Sequence, residues 1–344
     1  MASLYQPELD RLSAWLRYAI PGFSGPLRAT RFAAGQSNPT YRLNAASGAY
    51  VLRRKPPGKL LASAHAVDRE YRVQRALHGS AVPVPRVLAL CTDERVIGSM
   101  FYVMEHVSGR NVEAPTMPNS VPGERAEVMD EMARVLAAIH EIDVDALGLA
   151  DFGAPGAYYA RQLSRWTRQY RASETEPVAD MDRLIALLGE RLPDETGQRR
   201  LVHGDYRIDN LLFAGEGTEC RAVLDWELST LGHPMADLAA VIMQWRLPPG
   251  PDGRGLAGVD RADLGLPSDA EFIAMYCARR GIAMPDDFGF HLAFAFFRMG
   301  AILQGVKRRA LDGNAANPDQ GLRLGAYVPR FAELGLAAAE DRTP

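Results

Sequence analysis

The chain has 344 residues, of which 47% are hydrophobic and 24% charged, and its formal net charge is −3. This composition is that of a globular protein and excludes a largely disordered chain. Single cores stop growing at about 250 to 300 residues, so the length predicts two lobes. The acidic balance argues against a nucleic-acid-binding protein, which would carry a basic excess on one face.

The cysteines and the N-terminal segment indicate the compartment. Cys91, Cys220 and Cys277 are widely spaced and form no CxxC pair, so we expect buried thiols in a reducing environment. The N-terminal segment carries acidic residues where a secretory signal would need a basic start and an apolar run. No other segment approaches the ~18 apolar residues of a membrane span. The sequence therefore predicts a soluble cytoplasmic protein that binds neither nucleic acid nor membrane.

The first hundred residues predict a small β-rich lobe. Apolar residues recur at helical spacing from Pro7 to Ile20. Three segments suited to strands follow, LRATRFAAG, PTYRLNAA and GAYVLRRK, and the turn residues between them predict an antiparallel meander. A helix from about Ser63 to His78 and two further strands, PRVLALCTD and GSMFYVMEHV, complete a five-stranded sheet by His106.

The remainder of the chain is predicted to be mainly helical. A loop containing Pro, Asn and Gly follows Ser108, so we place the lobe boundary between residues 106 and 107, which gives lobes of residues 1–106 and 107–344. Two short strands joined by an Ala-Gly-Glu-Gly turn interrupt the helices. A β-rich lobe followed by a helical lobe predicts a small-molecule site between them. The predicted helices run from Glu124 to Ile142, Tyr158 to Ala172, Ala179 to Leu192, Met235 to Gln244, Asp269 to Arg280, Phe290 to Ala310 and Gly321 to Ala339.

Polar residues interrupt the apolar stretch LVHGDYRIDNLLF, and Asp225 follows in LDWE. Strand alternation cannot send all of these side chains to solvent, and burying several carboxylates without a counter-ion costs several kcal/mol per charge. A divalent cation would offset that cost, and Mg²⁺ takes oxygen ligands from one or two carboxylates or amides. Asn210 and Asp225 supply such oxygens, which leaves Asp205 to accept a proton.

The segments HGDYRIDN and LDWE together resemble the catalytic loop and metal-binding strand of the aminoglycoside phosphotransferase and choline kinase family. The resemblance covers most of the chain, including the hinge-like YVMEHVSG, and Asn210 follows Asp205 by five residues, as in that family. It implies an α+β, bilobal, protein-kinase-like fold with a five-stranded antiparallel N-lobe sheet, one helix and a mainly helical C-lobe. The run VLRRKPPGKLLASAHAVDREYRV is most similar to the kinase-like domain fused to some acyl-CoA dehydrogenases.

The resemblance also implies the chemistry of individual residues. Asp205 would orient the acceptor hydroxyl and accept its proton, and Asn210 and Asp225 would hold Mg²⁺ against the phosphates of ATP. In this family a cation on the third strand contacts the phosphates. Here that cation is Arg53 or Lys55, because alternation puts both on one face.

Further positions match the nucleotide-binding positions of the family. Glu70 would pair with the strand cation. Ser37 and Asn38 lie in FAAGQSNPTYRL, which fills the place of the phosphate-covering loop with one glycine where kinases have three, and they would donate to phosphate oxygens. The hinge would present backbone groups to adenine, and its residues are Glu105, His106 and Val107.

Several polar residues have two interpretations. His203 either acts in the reaction or braces the loop through backbone hydrogen bonds, and Asp209 is either a secondary contact or a turn residue. Asp237 resembles the family aspartate that steadies the catalytic loop, but a carboxylate at a helix start is also favoured by the dipole. One helix face with Trp166 nearby either recognises an anionic acceptor or is a solvated surface; its arginines are Arg161, Arg165 and Arg168.

The sequence thus predicts transfer of the γ-phosphoryl group of ATP to a hydroxyl of a small molecule. Few acidic clusters occur in the last hundred residues, which argues against a polycationic antibiotic and leaves a hydroxyacyl thioester, a sugar, choline or another alcohol. The preference for ATP over GTP and the oligomeric state are left open. One alternative is a catalytically silent kinase-like nucleotide-binding scaffold. Another is a metal-dependent phosphohydrolase with two cations, held by Asp205, Asp209, Asp225 and His233.

Overall fold

The computed structural model describes residues 4–32, 38–56, 66–250, 253–315 and 317–340. The chain divides into two compact units. The first unit consists of Met1–Asn111, Ala146–Leu149 and Asn210–Ser229. The second consists of Val112–Asp145, Ala150–Asp209 and Thr230–Pro344. This division differs from the predicted boundary between residues 106 and 107, because a strand after that boundary pairs with one strand of the 210–229 segment.

The first unit contains the five-stranded antiparallel sheet that the sequence predicts. Its strands follow the order β1-β2-β3-β5-β4. They are β1 (Arg28–Arg31), β2 (Thr40–Ala45), β3 (Gly48–Arg54), β4 (Val87–Cys91) and β5 (Phe101–Glu105). Two helices accompany the sheet, α1 (Gln6–Ala19) and α2 (Val67–Leu77). The predicted start of the second helix at Ser63 lies outside the described residues.

Alternation along β3 explains how a charged side chain comes to lie under a helix. Leu52 belongs to the apolar cluster that includes Leu16 of α1. Val51, which points the other way, belongs to a second cluster with Val67 of α2. Because side chains alternate with a period of two, Arg53 returns to the Val51 side and projects toward α2.

Five further strands are only two to four residues long, namely β6 (Arg110–Asn111), β7 (Arg200–Val202), β8 (Leu211–Phe213), β9 (Cys220–Val223) and β10 (Thr230–Gly232). In the first unit β6, β8 and β9 form an antiparallel sheet, and in the second unit β7 pairs with β10. The sequence predicts only the β8–β9 pair. The other three strands are too short to display a period of two.

Helices dominate the second unit, as predicted. They are α3 (Pro122–His140), α4 (Tyr158–Ser173), α5 (Ala179–Glu190), α6 (Met235–Trp245), α7 (Arg261–Leu264), α8 (Asp269–Arg280), α9 (Phe288–Leu311), α10 (Pro318–Gly325) and α11 (Val328–Glu340). The single predicted helix from Gly321 to Ala339 is wrong, because α10 and α11 divide this segment. Pro329 explains the break, since its ring would clash with the carbonyl group of Gly325 in a continuous helix.

The central helix of the second unit is α9, which packs against α4, α5, α6, α10 and α11. By length and composition α9 could cross a membrane, contrary to the expectation from the sequence. However, 78% of its most apolar 18-residue window is buried inside the protein, as in a core helix. The three cysteines are free and buried, as predicted.

Candidate active site

A buried guanidinium forms the centre of a polar cluster in the first unit. Arg53 near the end of β3 is 8% exposed, and its Nε lies 2.8 Å from Oε2 of Glu70 on α2. Its Nη2 donates to Oδ1 of Asp225 and lies 3.7 Å from Oε2 of Glu227. One cation therefore joins β3, α2 and the segment that follows β9. We call Arg53, Glu70, Asp225 and Glu227 the Arg53 cluster.

Burial and charge together set the protonation of the Arg53 cluster. Burial raises the pKa of Glu70 to about 7, although the charge of Arg53 opposes this shift. Burial would lower the pKa of Arg53, but attraction to Glu70 and Asp225 outweighs it and raises that pKa above its ordinary value. The guanidinium therefore stays charged. With three carboxylates around one guanidinium, the fully ionised cluster is negative, which favours a bound cation.

Neutral side chains hold the carboxylates of the cluster. Tyr102 donates its hydroxyl to Oε2 of Glu70 (3.2 Å). Asn38 is fully buried, and its Nδ2 donates to Oε1 of Glu70 (2.8 Å) and to Oε2 of Glu227 (3.1 Å). Because its amide hydrogens are committed to two carboxylates, this placement argues against the predicted contact of the Asn38 side chain with phosphate. Ser37, predicted beside it, lies outside the described residues.

The structure distinguishes the two basic residues that the sequence leaves as alternatives. Arg53 makes the ion pair with Glu70. Lys55 follows the last residue of β3, and its backbone N–H donates to the carbonyl of Met100 (3.0 Å). The partner of the α2 carboxylate is therefore Arg53. The contact of either residue with phosphate stays a prediction.

The two predicted metal ligands come close together in the first unit. The carbonyl of Asn210 accepts a hydrogen bond from the N–H of Leu224 (2.8 Å), the residue before Asp225. Asp225 has a left-handed backbone, with φ 65° and ψ 59°. Such a conformation costs a residue with a side chain about 1–3 kcal/mol and is concentrated at functional sites. Here it accompanies a carboxylate that bonds to Arg53.

The donor set at this turn fits a phosphate-bound Mg²⁺. Asn210 offers an amide oxygen and Asp225 a carboxylate, and Mg²⁺ commonly takes one or two such ligands and completes its shell with water and phosphates. Glu227 adds a second carboxylate, which the sequence reasoning did not single out although LDWE displays it two residues after Asp225. Within the described segments, no group of three or more His, Cys, Asp or Glu side chains could hold a metal ion. An open site completed by substrate therefore fits better than a closed metal site.

The predicted hinge residues follow each other at the end of β5. The N–H of Glu105 donates to the carbonyl of Arg86 (2.9 Å), and the Arg86 N–H donates to Oε1 of Glu105 (2.9 Å). His106 and Val107 follow outside the strand and are half-buried. Since the sheet uses the N–H of Glu105, the predicted donor contact with adenine would fall to His106 or Val107.

In the second unit, the predicted base is paired with a nearby arginine. Nε and Nη2 of Arg207 lie 3.1 and 3.3 Å from the two carboxylate oxygens of Asp205. Nη1 of Arg207 lies 3.3 Å from Oδ2 of Asp209, which also accepts from Arg254 (2.7 Å). One hydrogen bond, from Nη2 to Oδ2, together with the ion pair holds the Asp205 carboxylate beside Arg207. The sequence reasoning missed Arg207, although the string HGDYR displays a cation two positions after Asp205.

A buried carboxylate holds the backbone just before Asp205. Asp237 on α6 is 1% exposed and accepts hydrogen bonds from the N–H groups of His203 (2.6 Å) and Gly204 (2.8 Å). Nε2 of His140 lies 3.3 Å from the same carboxylate. Burial would raise the pKa of Asp237, but these hydrogen bonds and the neighbouring histidines lower it. His203 Nδ1 also accepts from the Asp205 N–H (3.3 Å), so Asp237 and His203 both brace the loop.

His233, the histidine of the alternative two-metal hydrolase site, is packed in the core. His233 is 7% exposed, stacks on His291 with ring centroids 4.9 Å apart, and accepts at Nδ1 from the N–H of Met235 (3.2 Å). Burial lowers the pKa of His233 to about 4 and that of His291 to about 3. His233 is thus a neutral core residue, and this placement argues against a metal-dependent hydrolase.

In the first unit, an arginine on β3 that pairs with a carboxylate on α2 and with Asp225 is the arrangement expected of a phosphotransferase with a kinase-like fold. Comparison with known proteins agrees with this class. Residues 28–285 match the model of the Phosphotransferase enzyme family, and the chain belongs to that family.

Three relatives illustrate how far the similarity extends. A crystal structure of a candidate aminoglycoside phosphotransferase from Ralstonia eutropha JMP134 has a TM-score of 0.88 and 45% identity and covers 96% of this chain and 98% of its own. Spectinomycin phosphotransferase in complex with ADP and spectinomycin shares the fold, with a TM-score of 0.64, 13% identity and coverage of 96% and 98%. Acyl-CoA dehydrogenase family member 10 of Mus musculus is 45% identical over 327 residues, which are 94% of this chain and 30% of the relative.

These comparisons confirm the predicted family and the kinase-like fold. They also confirm the narrower resemblance to a domain found in acyl-CoA dehydrogenase family members. The chain spans only about a third of the length of that relative, so the activity of the whole relative does not carry over to this chain.

Proposed function

We propose that the chain is a magnesium-dependent kinase that transfers the γ-phosphoryl group of ATP to a hydroxyl group of a small molecule. The observation that carries this proposal is the position of Arg53, which bonds to the carboxylate of α2 and to Asp225. In kinases, a cation at this position contacts the nucleotide phosphates, and an aspartate beside it binds the Mg²⁺ that accompanies them. Arg53 and Asp225 would have these two roles here. The ADP complex of spectinomycin phosphotransferase supports an adenine nucleotide as the donor.

The first unit would bind the nucleotide. Arg53 would contact the phosphates, and Glu70 would hold its guanidinium in place. Asn210 and Asp225 would hold Mg²⁺, with Glu227 near enough to contribute. When bound, Mg²⁺ supplies positive charge to the phosphate oxygens. Adenine would bond to the backbone after β5 at His106 or Val107.

In the second unit, Asp205 would orient the acceptor and take its proton. The hydroxyl oxygen attacks the γ-phosphorus, the bond from that phosphorus to the β–γ bridging oxygen breaks, and ADP leaves with the electron pair. The hydroxyl proton passes to the Asp205 carboxylate, a contribution of ~10² to 10⁴ in rate for a positioned base. Arg207 would hold the carboxylate in place through one hydrogen bond to Oδ2 and the attraction between the two charges.

The acceptor is an alcohol, and a hydroxyacyl thioester is the candidate that the relatives favour. The matching domain occurs in a protein named as an acyl-CoA dehydrogenase family member, and a hydroxylated acyl thioester would be a related substrate. Sugars, choline and simple alcohols are the other acceptors to test. We further propose that the protein acts in the cytoplasm and needs neither nucleic acid nor membrane.

The proposal is tested by measuring ADP release over a panel of hydroxyacyl thioesters, sugars, choline and simple alcohols. We expect magnesium-dependent release with at least one acceptor, and a loss of ~10² to 10⁴ in the Asp205→Asn variant. Binding of AMP-PNP should be unchanged in that variant. The control is Glu219→Gln, which removes an exposed carboxylate that pairs with Arg221 and should keep the transfer.

Two outcomes would contradict the kinase assignment. Phosphate release that needs no acceptor and survives Asp205→Asn would support a hydrolase. Tight nucleotide binding without transfer to any member of the panel would support a catalytically silent scaffold.

A further inference from the structure

Helix α4 carries an excess of positive charge that its neighbours only partly neutralise. Its sequence, YYARQLSRWTRQYRAS, contains four arginines and no carboxylate. Arg171 pairs with Asp182 (2.6 Å) and Glu174 (3.2 Å). Across the described ranges, no carboxylate lies within 4.0 Å of the guanidiniums of the other three, which are Arg161, Arg165 and Arg168.

A further arginine without a carboxylate partner comes from α9. Arg298 is half-buried on a helix whose sequence contains no Asp or Glu. Its Nη2 donates to the carbonyl of Gly204 (2.9 Å), the residue immediately before Asp205. In the part of the chain that the structure describes, no carboxylate lies within 4.0 Å of it. A half-buried guanidinium with no carboxylate beside it attracts a ligand of opposite charge.

The ring of Trp166 connects these two regions of positive charge. Trp166 is 9% exposed, and its Nε1 donates to Oε1 of Gln162 (3.1 Å). The guanidinium carbon of Arg165 lies 5.3 Å from the ring centroid, and that of Arg298 lies 5.7 Å from it. The ring attracts both cations, and the positive charge gathered around it favours the approach of an anion.

We propose that Arg165 and Arg298, placed on the ring of Trp166, bind an anionic group of the phosphoryl acceptor. This inference rests on the proposed function and narrows the acceptor to an alcohol that also carries a carboxylate or a phosphate. Guanidinium groups bind such oxyanions through two parallel N–H···O bonds. Because Arg298 bonds to the carbonyl next to Asp205, an anion held there keeps the rest of the acceptor beside the base.

Arg161 and Arg168 have other tasks. Arg161 donates to the carbonyls of Pro155 and Gly156 before the start of α4. Arg168 donates to Oγ of Ser164 (2.6 Å). We therefore propose that Arg165 and Arg298 contact the anion directly. Arg161 and Arg168 contribute only long-range electrostatic attraction.

The test titrates small matched compounds into the full chain saturated with AMP-PNP and Mg²⁺, at low ionic strength where charge is least screened. The probes share one carbon skeleton: glycerate carries a carboxylate, glycerol 3-phosphate a phosphate, and glycerol neither. Calorimetry should detect saturable binding of at least one anionic probe in the millimolar range and none of glycerol. The stronger of the two anionic probes identifies the preferred oxyanion.

Variants decide whether the two arginines form the subsite. Arg165→Gln should weaken anionic binding by about 10-fold, because it removes one of two guanidiniums. Arg171→Gln is the matched control, since it removes the same charge from the same helix but from an arginine that is already paired, and binding should change less than about 2-fold. Arg298→Lys should retain part of the affinity, while Arg298→Gln should lose it.

The outcomes separate this inference from the proposed kinase activity. Equal binding of glycerol and the anionic probes, absence of binding, or equal effects of Arg165→Gln and Arg171→Gln would overturn the subsite. Anion binding that follows the expected variant pattern, in a chain that transfers no phosphoryl group, would support the subsite and contradict the kinase. With any acceptor that is phosphorylated, Arg165→Gln should raise KM about 10-fold and leave kcat unchanged, a split that a merely structural role would not produce.

Discussion

Arg53 is buried and Arg298 is half-buried, and the charges around the two guanidiniums are opposite. Arg53 in the first unit faces three carboxylates, so its cluster carries negative charge beyond what the guanidinium neutralises. Arg298 in the second unit contacts a backbone carbonyl and an aromatic ring and shares that ring with a second cation. The sign of the unbalanced charge indicates what each region binds. The first suits a metal cation, and the second suits an anionic group.

The largest expected effect comes from breaking the buried pair in the first unit. Arg53→Met leaves Glu70 buried without its cation, and we expect the free energy of unfolding to fall by about 3–5 kcal/mol in urea denaturation. The double variant Arg53→Met/Glu70→Gln should recover most of that loss, because no unpaired charge is left in the core.

Arg298→Met is the comparison variant from the second unit. It removes a hydrogen bond to a carbonyl and leaves no carboxylate unpaired, so the loss should stay near ~1–2 kcal/mol. Equal losses in Arg53→Met and Arg298→Met would contradict the contrast between the two arginines.

The second-largest expected effect is a dependence of the free energy of unfolding on pH. The Arg53 cluster should show it, and the surroundings of Arg298 should not. Burial raises the pKa of Glu70 in the folded protein to about 7. The folded state therefore holds this proton more tightly than the unfolded state, and the contribution of Glu70 to stability is complete below its unfolded pKa and is lost as the pH rises through about 7. We expect a loss of roughly 3 kcal/mol over this range.

The measurement is the free energy of unfolding of the wild type and Glu70→Gln from pH 4.5 to pH 8, with the difference between them plotted against pH. The wild type should lose stability relative to the variant as the pH rises. The difference between the wild type and Arg298→Met should be flat, because no carboxylate faces that guanidinium among the described residues. A flat curve for Glu70→Gln would show that the carboxylate does not titrate there.

The smallest effect compares a paired and an unpaired arginine on one helix. Arg171→Gln breaks exposed ion pairs with Asp182 and Glu174 and should lower the free energy of unfolding by up to ~1 kcal/mol. Arg165→Gln breaks no ion pair, so thermal unfolding should place its change within about 0.5 kcal/mol. A greater loss in Arg165→Gln would mean that Arg165 stabilises the fold, which would weaken its assignment to a ligand.

Much of the candidate site could be predicted from the sequence because its residues have fixed spacing. The spacing of five residues from Asp205 to Asn210 and the hairpin before Asp225 carry the family resemblance, and the family match confirms that resemblance. The sequence also predicts that Glu70 pairs with a cation of the third strand, either Arg53 or Lys55. Spacing could not decide between Arg53 and Lys55, since that choice depends on where the strand ends.

Other features depend on packing that no local pattern displays. The side chain of Asn38 turns inward because two carboxylates from distant parts of the first unit accept from it. Arg298 contacts the loop before Asp205 although almost a hundred residues separate them in the sequence. The break between α10 and α11 did have a local signal, Pro329, but the apolar periodicity continues across it.

The central claim is tested most directly by the magnesium dependence of nucleotide binding. AMP-PNP is titrated into the wild type and Asp225→Asn, each with Mg²⁺ and with EDTA, and Glu219→Gln serves as an exposed control just before β9. We predict that Mg²⁺ tightens binding to the wild type and to Glu219→Gln by at least about 10-fold, and that Asp225→Asn loses most of this gain. Wild-type binding that does not respond to Mg²⁺, or an Asp225→Asn variant that responds fully, would contradict the account.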